Sequence, residues 1–272
     1  ILGGGEARLL ELVEELAGRV PEPFNMVDVA VGEVRTPYAA FVLQECERMN
    51  LLLDPIRQSL ANCRQGLLGR LTVSEQMDKL LMALDLAEVP HVWAVVAYPS
   101  LLSLRPWLED LIVRHRHLVR WSNDFMLPKS VWISGLFNPM AFLTAVMQVS
   151  AQKKHAPLDQ MTLQTEVLKR HEYEVGSAPR EGAHIHGLYL DGAGWDLVQG
   201  HLVPAELQEL YHPLPVIHVK AVATDLNCPQ DPGAHYHCPV YVTPARGPTY
   251  VFTAQLRTKD PVSQWVLAGV AL

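Results

Sequence analysis

The hydrophobic pattern of this chain changes period near residue 155. Before it, apolar residues recur at three- and four-residue spacing, as on one face of a helix; after it, they alternate in short stretches of period two, as in strands. A first helix is predicted from Glu6 to Leu16, ending near Gly18 ahead of Pro21 and Pro23. A second pattern places Tyr38, Phe41, Val42, Cys46, Met49, Leu53, Ile56, Leu60, Cys63 and Leu67 on one stripe, which another element must cover. Pro55 interrupts that run. It removes a backbone donor at a cost of roughly 3 kcal/mol, so either the helix kinks or Asp54 caps a new helix with Pro55 in its first turn.

Thr72 or Ser74 opens a third helix to about Leu86, Thr72 and Glu75 having capping-box spacing. A fourth runs from Leu102 or Leu104 to Trp121, with Leu104, Trp107, Leu108, Leu111, His115 and Leu118 on one face. A fifth starts at Asn138-Pro139, a cap followed by a proline suited to the first turn, and ends at Lys153-Lys154-His155. Ala156-Pro157 marks the expected boundary between a helical subdomain, residues 1–156, and a strand-rich one, residues 157–272.

In that second part, strands are expected at Met161–Leu168, His184–Leu190, Val216–Lys220, Tyr236–Val242, Thr249–Leu256 and Trp265–Leu272. No strand is followed by the long amphipathic helix that a parallel crossover needs. The fold class is therefore α+β: a helical subdomain followed by a small antiparallel β-barrel of about six strands.

Composition narrows the functions available. At 272 residues and 49% hydrophobic, the sequence can fill substantial cores. The formal charge of −7 argues against nonspecific nucleic-acid binding, and no apolar run has membrane-spanning length. Cys46, Cys63, Cys228 and Cys238 are scattered, so buried thiols in a reducing compartment are expected. The beginning at Ile1 and the apolar run Val266–Leu272 suggest a piece of a longer polypeptide.

The sequence holds candidates for chemistry but no catalytic constellation. There is no phosphate-binding glycine loop, no Gly-x-Ser-x-Gly and no His-Glu-x-x-His. Cys228, His235, His237 and Cys238, with His184 and His186 alternating onto one strand face, are zinc-compatible ligand types. Yet Cys228 to His235 matches no finger spacing, and adjacent His237 and Cys238 point to opposite strand faces. Structural thiols with exposed imidazoles are the simpler account. Asp191 and Asp196 flank Trp195 in a glycine-rich connection where Asp caps its own turn, which competes with an acid pair. Cys63 and His115 have nothing that fixes them together as a nucleophilic pair.

Arg114, His115, Arg116, His117 and Arg120 form a basic cluster. It either contacts an acidic surface or faces water near a helix C-terminus. The aromatic residues Trp93, Trp107, Trp121, Trp132, Phe137, Trp195 and Trp265 are candidates for subdomain packing or for an interface.

The segment Val131-Trp132-Ile133-Ser134-Gly135-Leu136-Phe137-Asn138-Pro139, continuing to Phe142-Leu143-Thr144-Ala145, resembles a signature of the C-terminal region of dynein heavy chains. So do Gly187 through Asp196, Cys238-Pro239-Val240-Tyr241, Arg246-Gly247, Thr249 through Ala254 and Trp265 through Leu272. With Val20-Pro21-Glu22-Pro23-Phe24 and Val89-Pro90-His91-Val92-Trp93, these matches are ordered over nearly the whole sequence.

The wording is most similar to axonemal heavy chains. The resemblance implies a domain that follows the sixth AAA+ module, lies on the motor ring and modulates ATP-driven microtubule movement. It implies no catalytic, cofactor or metal site here, with ATP and magnesium bound in the parent ring. Implied partners are the AAA+ modules of the same heavy chain, and microtubules, intermediate chains and light chains through the parent complex, with neither nucleic acid nor membrane. The implied location is the cytoplasm, cytoskeleton and cilium axoneme. Two alternatives stand beside it: a metal-binding enzyme domain using the histidine-rich barrel edge, and a docking module for another dynein subunit.

Overall fold

A computed structural model describes residues 4–31, 36–224 and 235–272. The fold is α+β and divides into two compact units, Ile1–Glu33 with Val42–Asp124, and Val34–Phe41 with Phe125–Leu272. This division does not follow the change from helix to strand, because helix α7 belongs to the second unit.

The first unit is helical: α1 (Gly4–Arg19), α2 (Met26–Val31), most of α3 (Pro37–Leu67), α4 (Glu75–Asp85), α5 (His91–Ala94) and α6 (Leu104–Ser122). The α3 stripe behaves as its spacing requires, with Val42, Cys46, Met49, Leu53, Ile56, Leu60 and Cys63 all buried. Pro55 neither divides the element nor starts a new one, because α3 is one continuous helix. The carbonyl deprived of a donor belongs to Leu51, a residue on the exposed face, where water can replace the missing N–H.

Ser74, rather than Thr72, caps α4: its side chain accepts a bond from the Met77 amide at 3.2 Å. Two short helices, α2 and α5, have no counterpart in the expected pattern, being too short to show a period. Around α1, Arg64 pairs with Glu14 at 2.9 Å and Arg105 with Glu15 at 2.9 Å. These exposed pairs orient α1 more than they stabilise it; the apolar anchors are Val13 and Leu16.

The second unit contains the start of α3, α7 (Pro139–Lys154), α8 (Val262–Leu267) and ten strands among the described residues. The strands are β1 (Val131–Trp132), β2 (Met161–Val167), β3 (Ala183–His186), β4 (Tyr189–Asp191), β5 (Ala193–Asp196), β6 (His201–Pro204), β7 (Tyr211–Pro213), β8 (Ile217–Ala223), β9 (His235–Tyr241) and β10 (Tyr250–Arg257). Asn138 caps α7 as expected, its side chain accepting from Ala141 at 3.1 Å. His155, in the left-handed conformation at φ 50°, closes it.

The expected barrel of about six strands is not found. The ladders form one four-stranded sheet in the order β1-β3-β8-β2 and three separate pairs, β9–β10, β4–β7 and β5–β6, with no closed barrel among the described residues. Two local causes account for the difference. Gly187 takes φ 88° and breaks the expected strand His184–Leu190 into β3 and β4, which join different sheets. The expected last strand, Trp265–Leu272, is instead helical from Val262 to Leu267.

Pro261 stands at the cap of that helix, and Gly269 at φ 65° ends it with a Schellman pair of bonds, Val270 N–H to Trp265 at 3.1 Å and Gly269 N–H to Val266 at 3.1 Å. The apolar run is thus bracketed by helix signals. Strands β5, β6 and β7 are three or four residues long, too short for alternation to be legible.

The core of this unit lies where α7 covers one face of the four-stranded sheet: Phe142, Val146 and Ala151 from the helix, with Met161, Ile185, Ile217, Val219 and Ala221 from the strands. Tyr38 and Phe41 pack on Phe142, with ring centroids at 6.3 and 5.6 Å. Among the described residues, no helix is long and apolar enough to cross a membrane.

Candidate functional site

In the first unit, aromatic candidates assemble into a stack. Trp93 on α5 and Trp107 on α6 lie with centroids 6.1 Å apart and planes 22° apart, and Tyr98 stacks on Trp107 at 6.1 Å. The Trp93 indole N–H donates to Ser59 Oγ on α3 at 2.9 Å, so the stack ties three helices together. Arg114 covers Tyr98, its guanidinium carbon 3.6 Å from the ring centroid, and donates from Nε to Asp110 at 2.7 Å. Burial pushes the Tyr98 hydroxyl pKa far up, keeping it neutral. Trp121, at the other end of α6, is also buried.

This geometry splits the basic cluster. Arg114 is 8% exposed and neutralised within the unit, so it belongs to the packing and not to an outer basic face. His115 is half-buried: its ring lies 4.7 Å from Phe24, and its Nε2 donates to the Glu22 carbonyl at 3.0 Å. The same connection is held by Asn50, which accepts from the Phe24 amide at 2.7 Å and donates to its carbonyl at 2.8 Å. Arg57 adds a 2.6 Å bond to the Glu22 carboxylate. Arg116, His117 and Arg120 remain on the exposed side.

In the second unit, Trp132 is wedged between two glycines. A Cβ on Gly135 would fall 2.3 Å from Trp132 Cε3, and one on Gly187 would fall 2.4 Å from Trp132 Cδ1. Both glycines come from the quoted sequence signatures, and the indole occupies the room that their missing side chains leave. Phe137 is half-buried. Trp195 is buried on β5, opposite Leu202 of β6. Trp265 is fixed by its N–H to Thr258 Oγ1 at 2.6 Å.

The seven aromatic candidates are divided between the two units. Trp93, Trp107 and Trp121 serve the first unit, and Trp132, Phe137, Trp195 and Trp265 the second.

The histidine candidates are spread along two sheets. His184 and His218 face each other across β3 and β8 at 5.3 Å, but their bonded nitrogens are taken up by the Lys129 and Glu181 carbonyls at 3.1 and 2.8 Å. His186 Nδ1 bonds Ser130 Oγ at 2.7 Å. His235 and His237 lie on β9, where Cys238 points to the opposite, fully buried side and its thiol pKa is pushed up by burial. Cys228 lies outside the described residues. Among the described residues, no group of three or more His, Cys, Asp or Glu side chains is placed to hold a metal ion.

The acid candidates are employed locally. Asp191 accepts from Arg246 at 2.8 Å. Asp196 accepts from the amides of Gln199 and Val198, each at 2.9 Å, and these bonds hold its pKa below the ordinary carboxylate value. This is the turn-capping role that its glycine-rich surroundings predict. Cys63 is buried with its pKa raised to about 11, so it is not activated as a nucleophile.

A surface feature escapes the periodic pattern. Leu86, Val92, Val95, Val96, Leu101 and Leu102 are exposed between the end of α4 and the start of α6, Leu101 at 95%. A bond from the Leu104 amide to the Ala87 carbonyl at 2.9 Å draws the two ends of this segment together. Within the apolar run 92–98, only Trp93 and Tyr98 are buried. The segment therefore leaves several large apolar side chains facing water. The signal in the sequence is an apolar run too short for a helix face and interrupted by Pro90 and Pro99.

Comparison with known proteins gives a consistent result. The family model for the C-terminal domain of the dynein heavy chain matches residues 3–272. The ciliary dynein beta chain of Tripneustes gratilla is 46% identical over 268 residues, covering 98% of this chain and 6% of its own length. Dynein axonemal heavy chain 9 of Homo sapiens is 47% identical, again over 98% of this chain and 6% of its own. The flagellar outer-arm dynein beta chain of Chlamydomonas reinhardtii is 44% identical with the same two coverages. The chain thus spans about 6% of the length of these curated relatives. With a family match running over almost every residue, including both glycines that flank Trp132, the chain belongs to the family formed by the C-terminal domains of dynein heavy chains.

Proposed function

We propose that this chain is the noncatalytic structural and regulatory domain at the end of an axonemal dynein heavy chain, packed on AAA+ modules of the same polypeptide. The observation that carries this reading is the uninterrupted family match, together with relatives named as ciliary, axonemal and flagellar dyneins. In this reading the parent is an ATP-hydrolysing microtubule motor of the cilium axoneme. ATP and magnesium are bound in its ring, and microtubules, intermediate chains and light chains are reached through the whole complex.

The geometry supports a mechanical role. The stack from Trp93 to Arg114 joins α3, α5 and α6 by directional contacts, a stiff arrangement suited to carrying load. The exposed segment around Leu86, Val95 and Leu101 offers apolar area for a neighbouring module. A contact of this kind stabilises the ring. It regulates the motor only if it differs between motor states, which supplies a coupling free energy of typically about 1–3 kcal/mol.

The test compares a heavy chain with and without these residues. Deletion is expected to alter ATPase rate, force or velocity, and no change in all three would defeat the regulatory role. Specific ATP turnover by the isolated 272-residue chain would defeat the noncatalytic one. Crosslinking of the complete heavy chain is expected to join Leu86–Leu102 to AAA+ modules of the same polypeptide; crosslinks only to a separate subunit would favour a docking module instead.

A further inference from the structure

With Arg114 turned inward, the rest of the basic cluster stands on the outer face of α6. Val113, Arg116, His117 and Arg120 follow at i, i+3, i+4 and i+7, the spacing of one helix face, and all four are exposed. Val119 is exposed beside them. The opposite face carries Leu104, Trp107, Leu108, Leu111 and Leu118 into the core, so α6 presents a basic stripe outward.

Two observations separate this stripe from ordinary solvated cations. The first is how its neighbours are paired. Arg8, Arg19, Arg57, Arg64, Arg105 and Arg114 of the same unit each lie against a carboxylate. The carboxylates of α6 itself, Glu109 and Asp110, are taken by Arg19 and Arg114. Among the described residues, no carboxylate lies within ion-pair distance of Arg116 or Arg120, and Asp124, four residues past Arg120, does not pair with it. The second is position along the helix. The C-terminal dipole favours cations in the last turn only, which covers Arg120 but not Arg116, six residues before the end at Ser122. In a chain of net charge −7, two neighbouring guanidiniums without carboxylates are a local exception and not part of a general basic surface.

We infer that this face of α6 is a docking surface for an acidic polypeptide segment outside these 272 residues, whose carboxylates meet Arg116 and Arg120 while its apolar side chains meet Val113 and Val119. Charge complementarity sets the occupant. Arg116 and Arg120 stand one turn apart, with Cβ atoms about 6 Å from each other, and each planar guanidinium matches a carboxylate bidentately. The two valines favour a polypeptide over a phosphate backbone, which has no apolar side chains to cover them. The acidic charge of the whole chain also opposes a long polyanion. The inference concerns the first unit alone and stands independently of any contact made by Leu86–Leu102.

Zero-length carbodiimide coupling in the complete heavy chain tests it. Arg116→Lys and Arg120→Lys keep the charge and supply an amine that couples to a carboxylate in direct contact. Mass spectrometry is expected to find both lysines joined to Asp or Glu residues outside the 272, at yields about tenfold or more above those of Arg48→Lys, an exposed position on α3. Yields equal to that control, or coupling only to Glu109 or Asp124, would overturn the inference by showing cations that face water. Loss of the coupling when a single-stranded oligonucleotide is added at about 0.15 M salt would assign the face to nucleic acid and equally overturn it.

Discussion

Gly187 combines two demands that no other residue type meets together. Its φ of 88° lies in the left-handed region, and the space where a Cβ would stand is taken by Trp132. Gly187→Ala is therefore expected to destabilise the fold by roughly 1–3 kcal/mol through overpacking, with backbone strain added. Gly18→Ala, in α1 with open space around it, is expected to stabilise by about 0.5–1 kcal/mol. Chemical denaturation of both variants checks the contrast, and equal effects would show that Trp132 does not depend on the glycine.

The buried thiols give a second residue-scale expectation. Burial, helped by Glu45 and Glu47, raises the Cys46 pKa to about 12, and burial alone raises Cys63 to about 11. At about pH 8, near the ordinary thiol pKa, both stay protonated, so an alkylating reagent followed by mass spectrometry should leave them unmodified in the native state and label them in denaturant.

At the scale of elements, long helices are legible in the sequence and short or capped pieces are not. The α3 stripe spans many turns, so its period survives even Pro55. Because Pro55 leaves the Leu51 carbonyl without its helical donor, Pro55→Ala is expected to restore that bond and stabilise the fold by about 1–3 kcal/mol. A rise in the denaturant midpoint with an unchanged slope would confirm it; a fall would mean that the proline shape is required by its neighbours.

The last segment shows why alternation misleads over short windows. Trp265–Leu272 is apolar throughout, so period cannot distinguish strand from helix, while Pro261 and Gly269 punctuate a helix. Burial of Trp265, Val270 and Ala271, with Val266 and Leu267 outside, follows from that helix and its turn. The candidate aromatics are legible as large apolar residues, but sequence spacing does not encode which ring meets which. Trp93 finds Trp107 only because α5 and α6 meet.

For the whole molecule, the acidic balance hides a histidine effect. His115 and His184 both have pKa values below the ordinary 6.5, chiefly because burial disfavours the charged ring. The bond from His115 to Glu22 opposes that shift, and Glu22 is itself paired with Arg57. A depressed folded pKa means that the unfolded state takes up protons first as pH falls. The stabilisation is then complete above about pH 6.5 and is lost as pH drops toward the folded values. Thermal melts are expected to show a lower midpoint at about pH 5 than at about pH 7.5, with a shallower loss in His115→Gln, whose amide can still donate to Glu22. An identical pH slope in that variant would remove His115 from the account.

By itself the amino-acid order determined the mixed α+β class, the long helices, the cap at Asn138 and membership of the family, since all of these depend on neighbours within a few turns or on ordered motifs. Only the tertiary structure decided that the strands stay in separate ladders, that Arg114 turns inward over Tyr98 and that Gly187 makes room for Trp132. The physical reason is range: periodicity and capping are local, whereas sheet closure, ring stacking and the seating of residues 270–272 between β4 and β9 depend on groups brought together from distant parts of the sequence.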